Sequence, residues 1–353
     1  MLSPELIRHR ENLLKEEVGN EVFDIICKYA DITSKHTAIQ QTHSIFEVKS
    51  LENNFFDTYI NFERINDLRN INKFFEAVNS KLPNDGILIG CVETSRLRKV
   101  RILKKYPRGL SDIYYFLDFL LKRVFPKLSW TKRIYFMLTG GRNRVLSKTE
   151  ALGRLYSCGF EVLLEKTVGP NLFFFAKKSR APYFDKNASF GPIFKMKRVG
   201  KNGKIIYCYK FRTMHPYSEY LQEYVYKKSE LVKGDKIKDD PRVTTLGKFF
   251  RKYWIDELPM IYNLLNGDLK MVGVRPLSQH KLSLYDKDLT ELRLTTKPGL
   301  VPPYYADMPN SFQGLMDSER KYLTAYKKTP VSTDIKYFFK AFYNIIFKKA
   351  RSK

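Results

Sequence analysis

The chain has 353 residues, 43% of them apolar and 14% aromatic, which is too long for one average domain and too apolar for disorder. Its 63 Lys and Arg exceed its 37 Asp and Glu, for a net charge of +26. The excess is regional: residues 1–100 carry 13 basic and 15 acidic side chains, residues 101–353 carry 50 and 22. Such a surface predicts an anionic partner, whether nucleic acid, an anionic bilayer or phosphorylated substrates. No helix-turn-helix, zinc-finger or RNP pattern accompanies the charge, so nucleic acid is not the expected partner. No run approaches 18 uninterrupted apolar residues and the N-terminus lacks a secretory pattern, so neither a spanning helix nor a leader is expected. Cys27, Cys91, Cys158 and Cys208 are scattered without a CxxC pair and read as reduced, buried thiols of a cytosolic protein.

In chain order, apolar residues at three and four spacing (Leu6, Leu13, Leu14, Val18, Val22, Phe23, Ile26) predict a helix over residues 4–30. Residues 55–60 alternate as a strand does. A helix follows from Ile65 to Leu82, ended by Pro83-Asn84-Asp85-Gly86, and Ile87–Val92 is a short buried strand. Ser147 to Cys158 reads as a capped helix, with Ser147 as N-cap and Glu150 three residues on. Two strands, from Phe160 and from Asn171, close the half. Residues 113–138 mix bulky apolar and basic groups. They suit either a segment lying in a membrane interface with Trp130 at headgroup level, or a helical pair packed on the domain's own core.

This order of elements, with "LPNDGILIG", "LYSCGFEVLLEK" and "NLFFFAKK", resembles the back half of a class I methyltransferase domain over residues 55–178. That fold cradles its cofactor with a glycine-rich turn, because backbone must approach the ligand closely. Between Gly19 and Gly86 there is no glycine. The expectation is a degenerate Rossmann-like domain over residues 1–180, without a bound nucleotide or methyl donor, serving docking or assembly through a partner or a second copy.

From Gly191 the text changes. Gly191-Pro-Ile-Phe-Lys-Met-Lys-Arg-Val-Gly-Lys-Asn-Gly-Lys opens it, followed by Tyr209-Lys-Phe-Arg-Thr-Met and Asp240-Pro-Arg-Val-Thr-Thr-Leu-Gly-Lys-Phe-Phe-Arg. Next come Ile255-Asp-Glu-Leu-Pro, then Asn263-Leu-Leu-Asn-Gly-Asp-Leu-Lys-Met-Val-Gly-Val-Arg-Pro, and Lys297-Pro-Gly ends the series. In that order the blocks resemble the bacterial sugar transferase family, the monotopic polyprenyl-phosphate phosphoglycosyl transferases, over residues 190–345. The resemblance implies a mainly helical α+β catalytic domain over 190–353 beside the α/β N-terminal one.

Asp256 and Glu257 are adjacent carboxylates in a region dense with Lys and Arg. A carboxylate attacks phosphorus only if the diphosphate's charge is screened, which calls for basic groups and a divalent cation, Mg2+ above all. The resemblance implies that Asp256 is the nucleophile, forming a phospho-sugar intermediate, and that Glu257 is the metal ligand. Without it, the pair reads as an exposed acidic step in a helix's first turn. Lys210 and Arg212 flank Phe211 and should emerge on one face of a strand. Arg242 and Arg251 lie on either side of a turn at Gly247, and Arg275 follows Gly273 where backbone can come close to phosphate. Arg275 and Arg212, then Arg242, Lys210 and Arg251, are the expected substrate-phosphate ligands. Asp268 reads as a structural turn residue. Tyr209 and Tyr253 suit core packing or stacking on a base.

The implied reaction moves a sugar 1-phosphate from a UDP-sugar to a polyprenyl phosphate, beginning a capsule, exopolysaccharide or O-antigen-type glycan at the cytoplasmic face of the bacterial inner membrane. Two departures stand against it. Val274 replaces the proline of the family's Gly-Pro-Arg-Pro. The stretch Lys178–Phe190 is too short and polar for the apolar re-entrant helix that usually precedes the Gly-Pro block. The alternative they favour is a decayed membrane-surface assembly factor. The segment 334–353, aromatic with lysines at both ends, either replaces the anchor in an anionic interface or packs on the catalytic domain.

Overall fold

The structure, a computed structural model, describes residues 2–183, 191–228, 231–232, 236–237, 240–348 and 350. Most of the stretch expected to lack a re-entrant helix, residues 184–190, therefore lies outside the described residues. The chain forms two compact units whose boundary is not a single cut: residues 1–191 and 214–244 make the first, residues 192–213 and 245–353 the second. A division at residues 180–190 misses the return of 214–244 to the first unit. There Tyr217 packs so closely on the helix Lys148–Ser157 that a Cβ at Gly153 would lie 2.4 Å from the Tyr217 carbonyl oxygen.

The first unit is built on a five-stranded sheet. Its strands are β1 Thr37–Gln40, β2 Thr58–Arg64, β3 Ile87–Val92, β4 Phe160–Val168 and β5 Asn171–Lys178, in the order β1-β2-β3-β5-β4. The first three run parallel, and β5 is antiparallel to both β3 and β4. The apolar runs Ile-Leu-Ile-Gly-Cys-Val and Leu-Phe-Phe-Phe-Ala are continuous because both faces of the sheet are covered. Tyr59, Leu88 and Phe174 face one core with Phe75 and Phe160; Ile60, Ile89, Phe173 and Phe175 face the other with Leu14, Val22 and Ile26. Each such fully buried side chain contributes about 1.5–3 kcal/mol. Gly90 is required in β3, since a Cβ there would meet the Phe174 ring at 2.7 Å.

The α/β character matches the sequence expectation; several boundaries do not. The strand expected at 55–60 runs 58–64, and the helix expected from Ile65 begins at Ile71 after a 3-10 turn. The first helix, Pro4–Tyr29, is interrupted at Gly19, whose φ is +77°. Cys27 is exposed, unlike the other three thiols. In the basic-aromatic segment, the helices Leu110–Phe119 and Ser129–Thr139 bury few side chains and leave Ile113, Phe116, Leu117, Trp130 and Ile134 exposed. Two short antiparallel strands, β8 Leu231–Val232 and β9 Lys236–Ile237, also belong to this unit.

The second unit holds the antiparallel hairpin of β6 Ile193–Val199 and β7 Ile205–Phe211, and the parallel pair β10 Lys270–Val272 and β11 Gly299–Val301. Helices Phe312–Lys328 and Pro330–Phe347 close a core of Tyr285, Leu289, Tyr322, Leu323 and Tyr337 with Val272 and Val274. β10 and β11 approach so closely that a Cβ at Gly299 would sit 2.1 Å from the Gly273 nitrogen, which fixes both glycines. The C-terminal helix packs on the domain along one face, as one of the two expectations has it. Tyr337, Ala341 and Asn344 pack inward, while Ile335, Phe339, Phe342, Ile346 and Phe347 remain exposed. No described helix is long and apolar enough to cross a membrane.

Candidate active site

Asp256 and Glu257 sit on a single 3-10 turn, Ile255–Glu257, entered through Trp254. Trp254 has a φ of +57°, a left-handed conformation that costs a non-glycine residue about 1–2 kcal/mol. It is held there by its indole Nε1, which donates to the Tyr305 hydroxyl at 2.9 Å. The short helix Met260–Leu265 follows and ties the turn to β7. Buried Asn263 donates from Nδ2 to the Tyr207 carbonyl at 2.7 Å and accepts from the Tyr209 amide at 3.1 Å. Asn263 also donates to Asp268 at 3.2 Å, so Asp268 has the structural role its position suggested. β7 and the carboxylate pair are thereby locked together, and Lys210 of β7 forms an ion pair with Glu257.

The charges around the pair are unequal. Burial raises the Asp256 carboxyl above its ordinary value; Lys210 and Arg251 pull it down, Glu257 pushes it up, and the balance stays raised. Arg275 is half-buried. Burial works against its charge, but Tyr304, Glu257 and Tyr305 outweigh that and hold the guanidinium above its ordinary value. The Arg275 carbonyl accepts from Arg293 Nη2 at 2.5 Å, and Arg293 is itself ion-paired with buried Glu319. Val274, where the family pattern has proline, is buried in the core and accepts at its carbonyl from the Gly299 amide at 2.9 Å.

Of the expected phosphate ligands, Lys210, Arg251 and Arg275 thus act electrostatically on the carboxylate pair. Arg251 also donates from Nε to Thr213 Oγ1 at 2.9 Å. Arg212 lies just past β7, its guanidinium 5.3 Å from the Phe194 ring centre. Arg242 is placed otherwise. It belongs to the first unit, buried, with Nε and Nη2 on Asp240 at 2.8–3.1 Å and Nη1 on Gln222. Gly247 is not a turn between Arg242 and Arg251 but lies inside the helix Thr245–Lys252, where a Cβ would strike the Thr213 carbonyl oxygen at 2.0 Å. Tyr209 packs edge-on against Tyr262 at 5.3 Å, and Tyr253 lies against Phe249. Asn263, Arg293 and Trp254 were not singled out from the sequence. Asn263 and Trp254 fall in or beside the motif blocks, but nothing local marks their partners.

Residues 182–348 match the bacterial sugar transferase family. That region is just under half of the chain. Over 117 residues it is 44% identical to the galactosyl transferase CpsE of Streptococcus agalactiae, covering 31% of this chain and 25% of that one. Over 116 residues it is 42% identical to an undecaprenyl-phosphate galactose phosphotransferase of Salmonella typhimurium, covering 31% and 24%. It is 37% identical over 111 residues to the exopolysaccharide production protein ExoY of Rhizobium meliloti, covering 30% and 48%. The matched segments span from a quarter to about half the length of these relatives. Among solved structures, the CurJ carbon methyltransferase overlaps 40% of this chain and 35% of that one at a TM-score of 0.24 and 14% identity. An O-methyltransferase family protein from Burkholderia thailandensis does so at a TM-score of 0.23 and 11% identity. Likenesses of that size say nothing about cofactor or chemistry.

Proposed function

We propose that the chain is a glycosyl-1-phosphate transferase that moves a sugar 1-phosphate from a nucleotide sugar, of the UDP type, to undecaprenyl phosphate or a similar polyprenyl phosphate. The observation that carries this reading is the carboxylate pair on its 3-10 turn. Asp256 is raised and half-buried, and the neighbouring Lys210 is bonded to Glu257 instead. In the first step an Asp256 oxygen forms a bond to the sugar-bearing phosphorus and the P–O bond to the nucleotide breaks, releasing the nucleoside monophosphate with both electrons. In the second, a phosphate oxygen of the lipid attacks the same phosphorus, and the Asp256 carboxylate leaves as the lipid diphosphate forms. No proton need be supplied in either step. Arg275, Lys210 and Arg251 offset the diphosphate's charge as the nucleophile approaches, with Arg212 a further candidate on the same hairpin.

The donor set suits Mg2+ held mostly by others. Among the described residues no group of three or more His, Cys, Asp or Glu could hold a metal, and Glu257 is partly engaged by Lys210. One carboxylate, from Glu257, together with substrate phosphate oxygens and waters, is an ordinary ligand set for that ion. When bound, it supplies charge neutralisation to the diphosphate.

The test is intact-mass measurement after incubation with Mg2+ and a panel of UDP-sugars. A sugar-phosphate adduct should appear on the wild-type chain and be missing from Asp256→Asn. Adduct formation or full exchange activity in that variant removes the nucleophile assignment. Glu257→Gln should weaken the Mg2+ dependence of turnover, and an unchanged Mg2+ titration would contradict its role.

A further inference from the structure

The first unit holds a cleft of about 1450 Å3, entirely within its own residues. Ten Lys and Arg line it against one acid among the described residues, Glu150. Its deep wall is organised around that carboxylate. Arg123 Nη1 donates to Glu150 Oε2, Lys127 Nζ reaches the same oxygen at 3.1 Å, and Arg154 Nη2 donates to Oε1 at 3.0 Å. Arg144 stands in the same wall, with Nη2 on the carbonyls of Leu68 and Arg69.

Three cations therefore bond one carboxylate and a fourth stands beside them, an excess of three positive charges on partly buried side chains. Uncompensated buried charge is costly, and the side chains register it. Burial pushes Lys127 down to about 8, with Glu150 only partly opposing, and burial together with Arg154 pushes Arg144 down to about 10. The Nε atoms of Arg144 and Arg154 are both buried without a hydrogen-bond partner. A ligand with two negative charges and several acceptor oxygens would offset most of that charge excess, which is the description of a phosphate monoester.

The mouth of the cleft has a different character. Phe46 and Met137 line it and are 80% and 77% exposed. On the helix Ser129–Thr139 beside it Trp130, Ile134 and Leu138 are exposed, interleaved with exposed Lys132 and Arg133. A cationic depth behind an apolar and aromatic rim is the complement of an amphiphile whose head is anionic. A soluble phosphate ester would find the charges but leave the rim without a partner.

We propose that this cleft binds the phosphate head group of an anionic membrane lipid, with the helices around its mouth resting in the bilayer interface. The proposal is independent of the chemistry assigned to Asp256.

Flotation of the full chain with vesicles tests it, comparing pure phosphatidylcholine with phosphatidylcholine doped with phosphatidic acid. The chain should float with the doped vesicles only. A Lys132→Glu/Arg133→Glu variant, changed at two exposed positions and checked for an unaltered thermal midpoint, should lose about tenfold or more of the bound fraction. Lys201→Glu/Lys204→Glu makes the same charge change on the exposed β6–β7 turn and should keep most of it. Equal losses in the two variants would mean attraction by diffuse charge and overturn the proposal. Calorimetric binding of glycerol 3-phosphate without flotation would overturn the lipid assignment, and so would equal displacement from vesicles by short duplex DNA.

Discussion

Glu150 in the first unit and Asp256 in the second are both carboxyl groups set among lysines and arginines, yet their surroundings act on them in opposite senses. Burial alone would raise each. At Glu150, Arg123, Lys127 and Arg154 overcome it and hold the group well below the ordinary carboxylate range. At Asp256, burial and the charge of Glu257 prevail over Lys210 and Arg251, and the group stays raised. The difference is one of bonding: three cations donate directly to Glu150, whereas Lys210 donates to Glu257 and Arg251 to Thr213. A carboxylate saturated by its cations organises a wall. One whose cations are bonded elsewhere keeps a more basic lone pair in a positive field, which is what attack on a diphosphate needs.

The most severe break in this comparison is to remove the oxygen proposed to attack phosphorus. Asp256→Asn keeps the shape of the turn and should lower nucleotide-sugar exchange by about a thousandfold or more, read with labelled nucleoside monophosphate. The matching change in the first unit, Glu150→Gln, should leave the chemistry of the second unit unaltered while destabilising the first by about 3–5 kcal/mol, because it strands three bonded cations. Denaturant unfolding checks it. The sign follows from the lowered folded value: the stability from Glu150 is present above its unfolded value and is lost as pH falls through the folded one. The wild-type and variant curves should therefore converge in acid.

Lys210→Met sharpens the comparison without abolishing either side. Lys210 is the largest influence lowering Asp256, so its loss should push that carboxyl further up. The acid limb of the rate profile should move to higher pH, with turnover reduced by about ten- to a hundredfold. A reduced rate with an unmoved limb would mean that Lys210 contacts substrate but does not tune Asp256.

How much of this was readable in the sequence follows from whether the signal was local. The strands Ile87–Val92 and Asn171–Lys178 announce themselves as apolar runs, and Ser147 caps its helix as read, accepting from the Glu150 amide at 3.1 Å. Asp256, Glu257, Lys210, Arg251 and Arg275 stand out because ordered motif blocks carry them. Glu150, by contrast, reads as the third residue of a capping box. Its three cations come from positions 123, 127 and 154, and no periodicity links them. Arg242 misled for the complementary reason: it is near the carboxylate pair in sequence, but residues 214–244 return to the first unit, where Asp240 and Gln222 engage it. The thin packing of residues 110–139 was equally out of reach. An aromatic-basic helix has the same pattern whether it covers a core or faces outward.

The smallest expected effect concerns stability at Asp256 itself. Because Asp256 has a folded value above its unfolded one, its ionised form opposes folding at neutral pH. Asp256→Asn removes that charge and should raise the thermal midpoint near pH 7 by a few degrees at most, while abolishing exchange. The gain should shrink as pH falls below the ordinary aspartate range, where the wild-type side chain is neutral in both states. Thermal unfolding of the two chains across pH 4–8 reads this directly. A variant that loses stability at neutral pH would show that the Asp256 charge is balanced by the lysine and arginine around it. In that case it would resemble Glu150, and the contrast between the two carboxylates would have to be withdrawn.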